Sequence, residues 1–296
     1  MGRPKRSCAT LILAVAACTG PTHLDPRAPR PAPRVEHAGA LSELFDKRAA
    51  PGTIALRPLL AKPHLYALGP LADMTGELMV WDGTAFTSRV AGGRVVVATE
   101  SDASVPLLVW SRVTKWREVA VPEDACELAA FEAWLPEAAR GVGIDAAQPF
   151  AFQIVGSVQS ATLHVVALPP GTPLTHEAHD ASKTTLELGA TPVQALGFHA
   201  TDAKGVWTHH DRNIHVHLRT LFGSTLGHVD DFTLAPGAIV RIATRCRRER
   251  YEAGPGPYTR PSAGETGRSA RCRPRVASRS SRARSRAPSS RSPRRR

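Results

Sequence analysis

Three histidines at hairpin spacing constrain the fold of this chain more than any other feature. The stretch Asn213–Phe232 reads NIHVHLRTLFGSTLGHVDDF. His215 and His217 stand two apart, so on a strand both side chains project from one face. Phe222, Gly223 and Ser224 supply a turn, and Gly227–Leu234 reads as the returning strand. Opposing His217 with His228 puts the turn midpoint between Phe222 and Gly223, inside that loop. His215 then opposes Asp230, and all three imidazoles share one face with opposed Cβ atoms about 5 Å apart. Such a face can bring three ring nitrogens within about 2.1 Å of one cation and leave a coordination position open. A polar, solvent-facing sheet carrying scattered histidines is the alternative; the third histidine at a compatible register favours a metal. Zinc is the ion expected at His215, His217 and His228, since three imidazoles suit it and no thiolate lies nearby. His209 and His210 read as loop or supporting residues.

The rest of the composition sets the frame. The chain has 296 residues, of which 42% are hydrophobic, enough for a packed core. No apolar run reaches the roughly 18 residues of a spanning helix. The net charge of +12 suggests a nucleic-acid binder until it is located. Residues 245–296 hold 17 Arg and 3 acids, leaving 21 basic and 23 acidic residues in 1–244. The body is therefore nearly neutral. The tail, rich in Arg, Ser, Pro and Gly without periodicity, is expected to stay disordered. Its arginines would bind any polyanion, but a nucleic-acid partner fits poorly with an exported chain. Arg without Lys and an abrupt onset also suit an out-of-frame ending.

Export is read from the other end. Residues 1–18 place Arg3, Lys5 and Arg6 before a short apolar stretch, Ala9 to Ala17, the layout of a secretory signal. The stretch closes as Val15-Ala16-Ala17-Cys18, which resembles a bacterial lipoprotein box with Cys18 as the lipidated residue; an ordinary cleavage near Ala17 is the alternative. Residues 19–37, with Pro21 to Arg34 proline-rich, read as a semi-rigid spacer between anchor and domain. The expectation is an exported protein held to a bacterial membrane by lipid alone. Cys126 is the one cysteine of the body, so no disulfide framework is encoded there.

The body, 38–244, reads as α+β: two mixed β-sheets with few flanking helices, a division into halves 38–140 and 141–244 being left open. Ala40–Lys47 puts Leu41, Leu44 and Phe45 on one helical face, and a second amphipathic piece runs over Ile54–Leu60. Pro122–Leu135 is the best helix, with Pro in its first turn and Glu123 and Asp124 near its positive end; Pro136 weakens its continuation. Strands are expected at Glu77–Trp81, Arg94–Thr99, Val105–Trp110, Phe150–Val155, Thr162–Leu168, Val193–His199, Asn213–Thr220, Gly227–Leu234 and Ala238–Ala243. Val80-Trp81-Asp82-Gly83-Thr84 closes one of them into a turn.

Several of these segments meet a known family. The hairpin resembles the zinc site of α-acetolactate decarboxylases, whose signature reads approximately G-Y-H-L-H-F followed by G-G-H-V-L-D-F. Leu65-Tyr66-Ala67-Leu68-Gly69, Thr75-Gly76-Glu77-Leu78 and Asp82-Gly83 are similar to the family's F-G-L-G-T-F-x-x-L-D-G-E-L block. Gln194-Ala195-Leu196-Gly197-Phe198 is similar to its G-T-x-V-G-F strand. The likeness covers roughly residues 38–243 and is loose between Arg89 and Phe150. It implies a pair of mixed sheets, a homodimer, and conversion of 2-acetolactate, a small hydroxy-keto acid, to acetoin and carbon dioxide.

The implied chemistry leaves negative charge on the former ketone oxygen, which a chelated zinc ion holds as a Lewis acid. A carboxyl group then delivers a proton to one face, and Glu77 matches the family glutamate for that work. The family's F-Y-A-I-R-I strand supplies an arginine for the departing carboxylate. Phe150-Ala151-Phe152-Gln153-Ile154 puts Gln153 in its place, a neutral donor. Arg212 and Arg219 beside the hairpin are possible substitutes. Two departures, Gln153 and a tail that replaces the family's final acidic segment, keep open a catalytically silent relative that only binds a metal or small acid. A cupin is disfavoured, because no Glu follows His217 within four residues.

Overall fold

The structure, a computed structural model, describes residues 30–222 and 225–245. Cys18, the 1–18 signal, most of the 19–37 spacer and all of the 245–296 tail except Arg245 lie outside the described residues. No helix among those described is long and apolar enough to cross a membrane.

Among the described residues, fifteen strands and four α-helices follow one another. They are β1 (Val35–Ala38), α1 (Leu41–Lys47), β2 (Ile54–Ala55), α2 (Arg57–Leu60), β3 (Leu65–Pro70), β4 (Glu77–Trp81), β5 (Thr84–Ala91) and β6 (Arg94–Thr99). Then come β7 (Ser104–Val105), β8 (Leu108–Arg112), β9 (Lys115–Ala120), α3 (Leu128–Gly141), β10 (Phe150–Val166) and α4 (His176–Ala181). The chain finishes with β11 (Lys183–Leu188), β12 (Thr191–His199), β13 (Ile214–Thr220), β14 (Leu226–Leu234) and β15 (Ile239–Thr244). The class is the α+β expected, two large sheets with few helices, and every ladder between strands is antiparallel.

The first sheet runs β1-β8-β3-β4-β5-β6, and β2 pairs β7 beside it. The second runs β12-β13-β14-β10-β15-β9, with β11 on β10 and a further β12–β10 ladder. Strands β10, β12, β13 and β14 thereby close on themselves. The two sheets share a core: Tyr66, Leu68 and Val109 from the first meet Ala151, Leu196 and Phe198 from the second. A separate aromatic core lies under α3, where Phe131 meets the rings of Phe152 at 5.7 Å and Phe232 at 5.5 Å. Burying each such side chain contributes about 1.5–3 kcal/mol.

Several expected boundaries move for local reasons. Ile54–Leu60 is not one amphipathic helix but a two-residue strand followed by a single turn, α2. The strand expected at Val105–Trp110 is cut at Pro106, which has no N–H for a ladder; β7 ends before it and β8 begins after it. The helix expected to stop at Leu135 runs through Pro136 to Gly141, because Ala138 and Ala139 are buried in the core beneath it. Its expected first turn is a separate 3-10 turn, Glu123–Ala125.

The largest change is β10. Phe150–Val155 and Thr162–Leu168 are parts of one 17-residue strand. It bends at Gly156, where φ is +151° and a Cβ would lie 3.3 Å from the Ala238 Cα. Up to Gly156 β10 pairs with β12 and β15, the β12 ladder running on to Val158; from Val158 onward it pairs with β14 and then β11. Val158 pairs with Leu234 and Ser160 with Thr233, so Gln159 is an extra residue in the ladder. One extra residue exchanges the faces of everything after it.

Candidate metal centre and its cavity

Alternation along β13 sorts its side chains. Ile214, Val216 and Leu218 join the core under α3, whereas His215 and His217 turn toward the first sheet. The β13–β14 ladder opposes His217 to His228, Leu218 to Gly227 and Arg219 to Leu226, the register that a turn centred after Phe222 requires. The ladder ends there, so His215 does not oppose Asp230. Instead β14 turns to β10, where Thr162 pairs with Asp231 and Leu163 with Val229. Asp230 bulges between them, and such bulges re-aim side chains.

One nitrogen from each of His215, His217 and His228 lies within 4.8 Å of the other two. The Nε2 atoms of His215 and His217 are 3.1 Å apart. Two nitrogens about 2.05 Å from a tetrahedral ion stand about 3.3 Å apart, so this spacing fits zinc. His217 Nδ1 lies 2.8 Å from the Leu78 carbonyl oxygen. A carbonyl only accepts, so Nδ1 carries the proton and Nε2 keeps a lone pair for a metal. Burial pushes the pKa of His215 down to about 3, aided by the charge of His209, and holds His217 and His228 well below the usual imidazole range. All three are neutral at pH 7, the protonation state a metal needs. The donor set and its protonation both suit zinc.

Glu77 comes to this centre from β4. Glu77 and Met79 face the second sheet, while Leu78 and Val80 fill the opposite core. Gly76 enters the strand at φ +155° with the Ser88 carbonyl tight against it, a place no side chain fits. The buried Glu77 carboxyl accepts a hydrogen bond from the Val166 N–H at 3.3 Å, and its Oε2 lies 3.7 Å from His217 Nε2. Burial raises its pKa to about 8, with the negative charge of Asp230 adding to the rise. Glu77 is thus a protonated acid at neutral pH.

A cavity of about 470 Å³ opens beside these groups. Glu77, His164, His215 and His228 line it together with Asp46, His176, His179, Asp180, Lys183 and His209, and Leu41, Phe45 and Trp207 add apolar side chains. Lys183 is the one Lys or Arg among its described lining residues. Its ammonium sits 2.7 Å from Asp180, and its charge reaches Glu77, His179 and His209.

The structure brings Glu77, His215, His217 and His228 together and leaves Gln153 out. Gln153 is buried between the sheets beside the Tyr66 hydroxyl, its Oε1 unpartnered, and does not line the cavity. The reason is the extra residue at Gln159: before it the odd-numbered side chains of β10 face the first sheet, after it the even-numbered ones do. His164 is therefore the polar β10 residue that lines the cavity, next to Val166. It pairs with His228 across the ladder, and its Nδ1–H donates to the Asp230 carboxylate at 2.8 and 2.9 Å. Neither His164 nor Lys183 was legible as a site residue, since each stands alone in its strand and its place depends on a bulge or a distant pairing. Arg212 and Arg219 are engaged elsewhere, Arg212 with Glu132, and Arg219 with Gln194 and the Phe86 ring.

No family profile matches the sequence, and no curated protein matches it by sequence. Solved structures do match. The α-acetolactate decarboxylase of Bacillus subtilis strain 168 superposes with a TM-score of 0.58 at 16% identity, over 72% of this chain and 86% of that one. A Staphylococcus aureus protein, described as of unknown function and similar to α-acetolactate decarboxylase, gives 0.57 at 17% identity, over 70% and 84%. The chain shares its fold with α-acetolactate decarboxylase. In this acetolactate decarboxylase fold, the three histidines and Glu77 meet between the two sheets.

Proposed function

We propose that this protein is a zinc-dependent, acetolactate decarboxylase-like lyase that converts a 2-hydroxy-3-keto acid such as 2-acetolactate to a hydroxyketone and carbon dioxide. The observation that carries the reading is a buried, protonated carboxyl group beside three neutral imidazoles converging at metal-binding distance. His215, His217 and His228 would hold the ion. Bound zinc would supply Lewis acidity for the negative charge that loss of carbon dioxide leaves on the former ketone oxygen. Glu77, protonated at rest, hands its proton to the developing carbanion carbon from the one face it can reach, which predicts a single stereoisomer of product. Lys183 offers the positive charge that orients the substrate carboxylate, the work that the resemblance assigned to position 153. Asp230 holds the His164 ring in place at the cavity wall.

The test is acetoin formation from racemic 2-acetolactate by the full chain carrying one equivalent of zinc, before and after chelation. Acetoin that appears with zinc and stops on its removal supports the reading. A second reading, a small-acid binder without turnover, draws on the lack of any arginine among the described lining residues. It predicts acid binding with no acetoin in the same assay.

A further inference from the structure

A second group of metal-ligating side chains stands at the rim of the cavity, outside the buried centre. The turn that leads into β13 reads Thr208-His209-His210-Asp211-Arg212-Asn213. The Arg212 N–H donates to the His209 carbonyl at 3.4 Å, which closes the turn. Glu132 of α3 clamps its far end, accepting from the Asn213 N–H at 2.6 Å and pairing with the Arg212 guanidinium at 3.5 Å. The backbone is thus held in place, while His209 is half-buried and His210 and Asp211 are exposed.

One ligand atom from each of His209, His210 and Asp211 lies within 4.8 Å of the other two. Donors that share a tetrahedral zinc ion stand about 3.3 Å apart, so closure needs at most about 1.5 Å, which rotamer changes of two exposed side chains supply. The neighbouring cations are engaged, Arg212 with Glu132 and Lys183 with Asp180. His209 and His210 line the 470 Å³ cavity, and His209 and Asp211 line a smaller one of about 160 Å³ together with His228 and Asp230. The ring centroids of His209 and His228 are 5.4 Å apart, so the turn stands one imidazole away from the buried centre.

We propose that His209, His210 and Asp211 form a second, weaker site for a divalent transition ion of zinc's class, in exchange with solvent at the cavity rim. Two imidazoles and a carboxylate select such an ion over magnesium or calcium, which take oxygen donors. Two imidazoles hold it less tightly than three, so desalting empties this site while the buried one keeps its ion. The site does not depend on the decarboxylase reading.

Calorimetric titration of the metal-free full chain with zinc provides the test. Two classes of site are expected, one tight equivalent and one bound about tenfold more weakly or weaker still. His210→Ala and Asp211→Asn alter exposed side chains, and each should remove the weaker class while the tight equivalent stays. His217→Ala should do the converse, and His37→Ala, at an exposed histidine of β1, should change neither class. A parent chain without the weaker class, or a weaker class that survives in a His210→Ala/Asp211→Asn double variant, would overturn the proposal. A parent chain that shows only a weak class, removed by His210→Ala, would support this site and count against the buried centre.

Discussion

Glu77 and Gln153 show how differently two residues of one strand-rich core behave. Burial makes Glu77 a proton donor, because its carboxyl sits where the ionised form is poorly solvated and lies close to Asp230. Glu77→Gln keeps the volume and removes the proton. It should lower turnover by at least a hundredfold, the usual scale for an acid–base group, while the zinc content, read by elemental analysis, stays at one equivalent. Gln153 is as deeply buried but faces Tyr66 rather than the cavity. Gln153→Arg would place a charge on a fully buried position between the sheets. It should therefore destabilise the fold by about 3 kcal/mol or more, read from a urea midpoint, and bring no gain in turnover. An active and stable Gln153→Arg protein would show that the side chain reaches substrate after all.

At the scale of elements, hairpins were legible and the long strand was not. Strand β13 alternates apolar and polar residues with few exceptions, and a turn fixes how it meets β14, so His217 opposite His228 follows from short-range rules. The β4 strand Glu77–Trp81, bounded by Gly76 and Asp82-Gly83, is equally local. Strand β10 obeys no local rule. Its bend at Gly156 and its extra residue at Gln159 are answers to distant partners, β12 and β15 along its first part and β14 and β11 from Val158 onward. Those partners decide that His164 faces the cavity, and no spacing within Thr162–Leu168 reveals it. The bend itself is open to test. Gly156→Val would force a β-branched residue into φ +151° with Ala238 only 3.3 Å from its Cβ. A loss of about 2–3 kcal/mol is expected in denaturant unfolding, since both halves of the strand lose their alignment. A loss below 0.5 kcal/mol would mean that β10 tolerates a straighter path.

For the whole molecule, buried neutral histidines tie stability to pH. His199 lies stacked on Phe150 at 4.8 Å, and burial lowers its pKa to about 4. In the unfolded chain an imidazole titrates near 6.5. Below pH 6.5 the unfolded state gains a proton on this residue that the folded state does not, so the contribution of His199 declines from pH 6.5 toward pH 4 and is level above 6.5, whereas Glu77, with its pKa raised to about 8, costs stability as pH rises from 4.5 to 8. His199 alone accounts for up to about 3 kcal/mol of that decline, and His199→Phe, which keeps the stack, should flatten the curve measured by urea unfolding at successive pH values. The same burial keeps the hairpin imidazoles neutral and free for a metal, which joins the packing of the two sheets to the chemistry proposed between them. That three imidazoles of one hairpin hold one zinc ion is the central claim, and metal content tests it most directly. Elemental analysis of the full chain should find one equivalent of zinc, and of His217→Ala well below one, because two imidazoles hold zinc far more weakly than three. A His217→Ala protein that folds and still carries a full equivalent would contradict it.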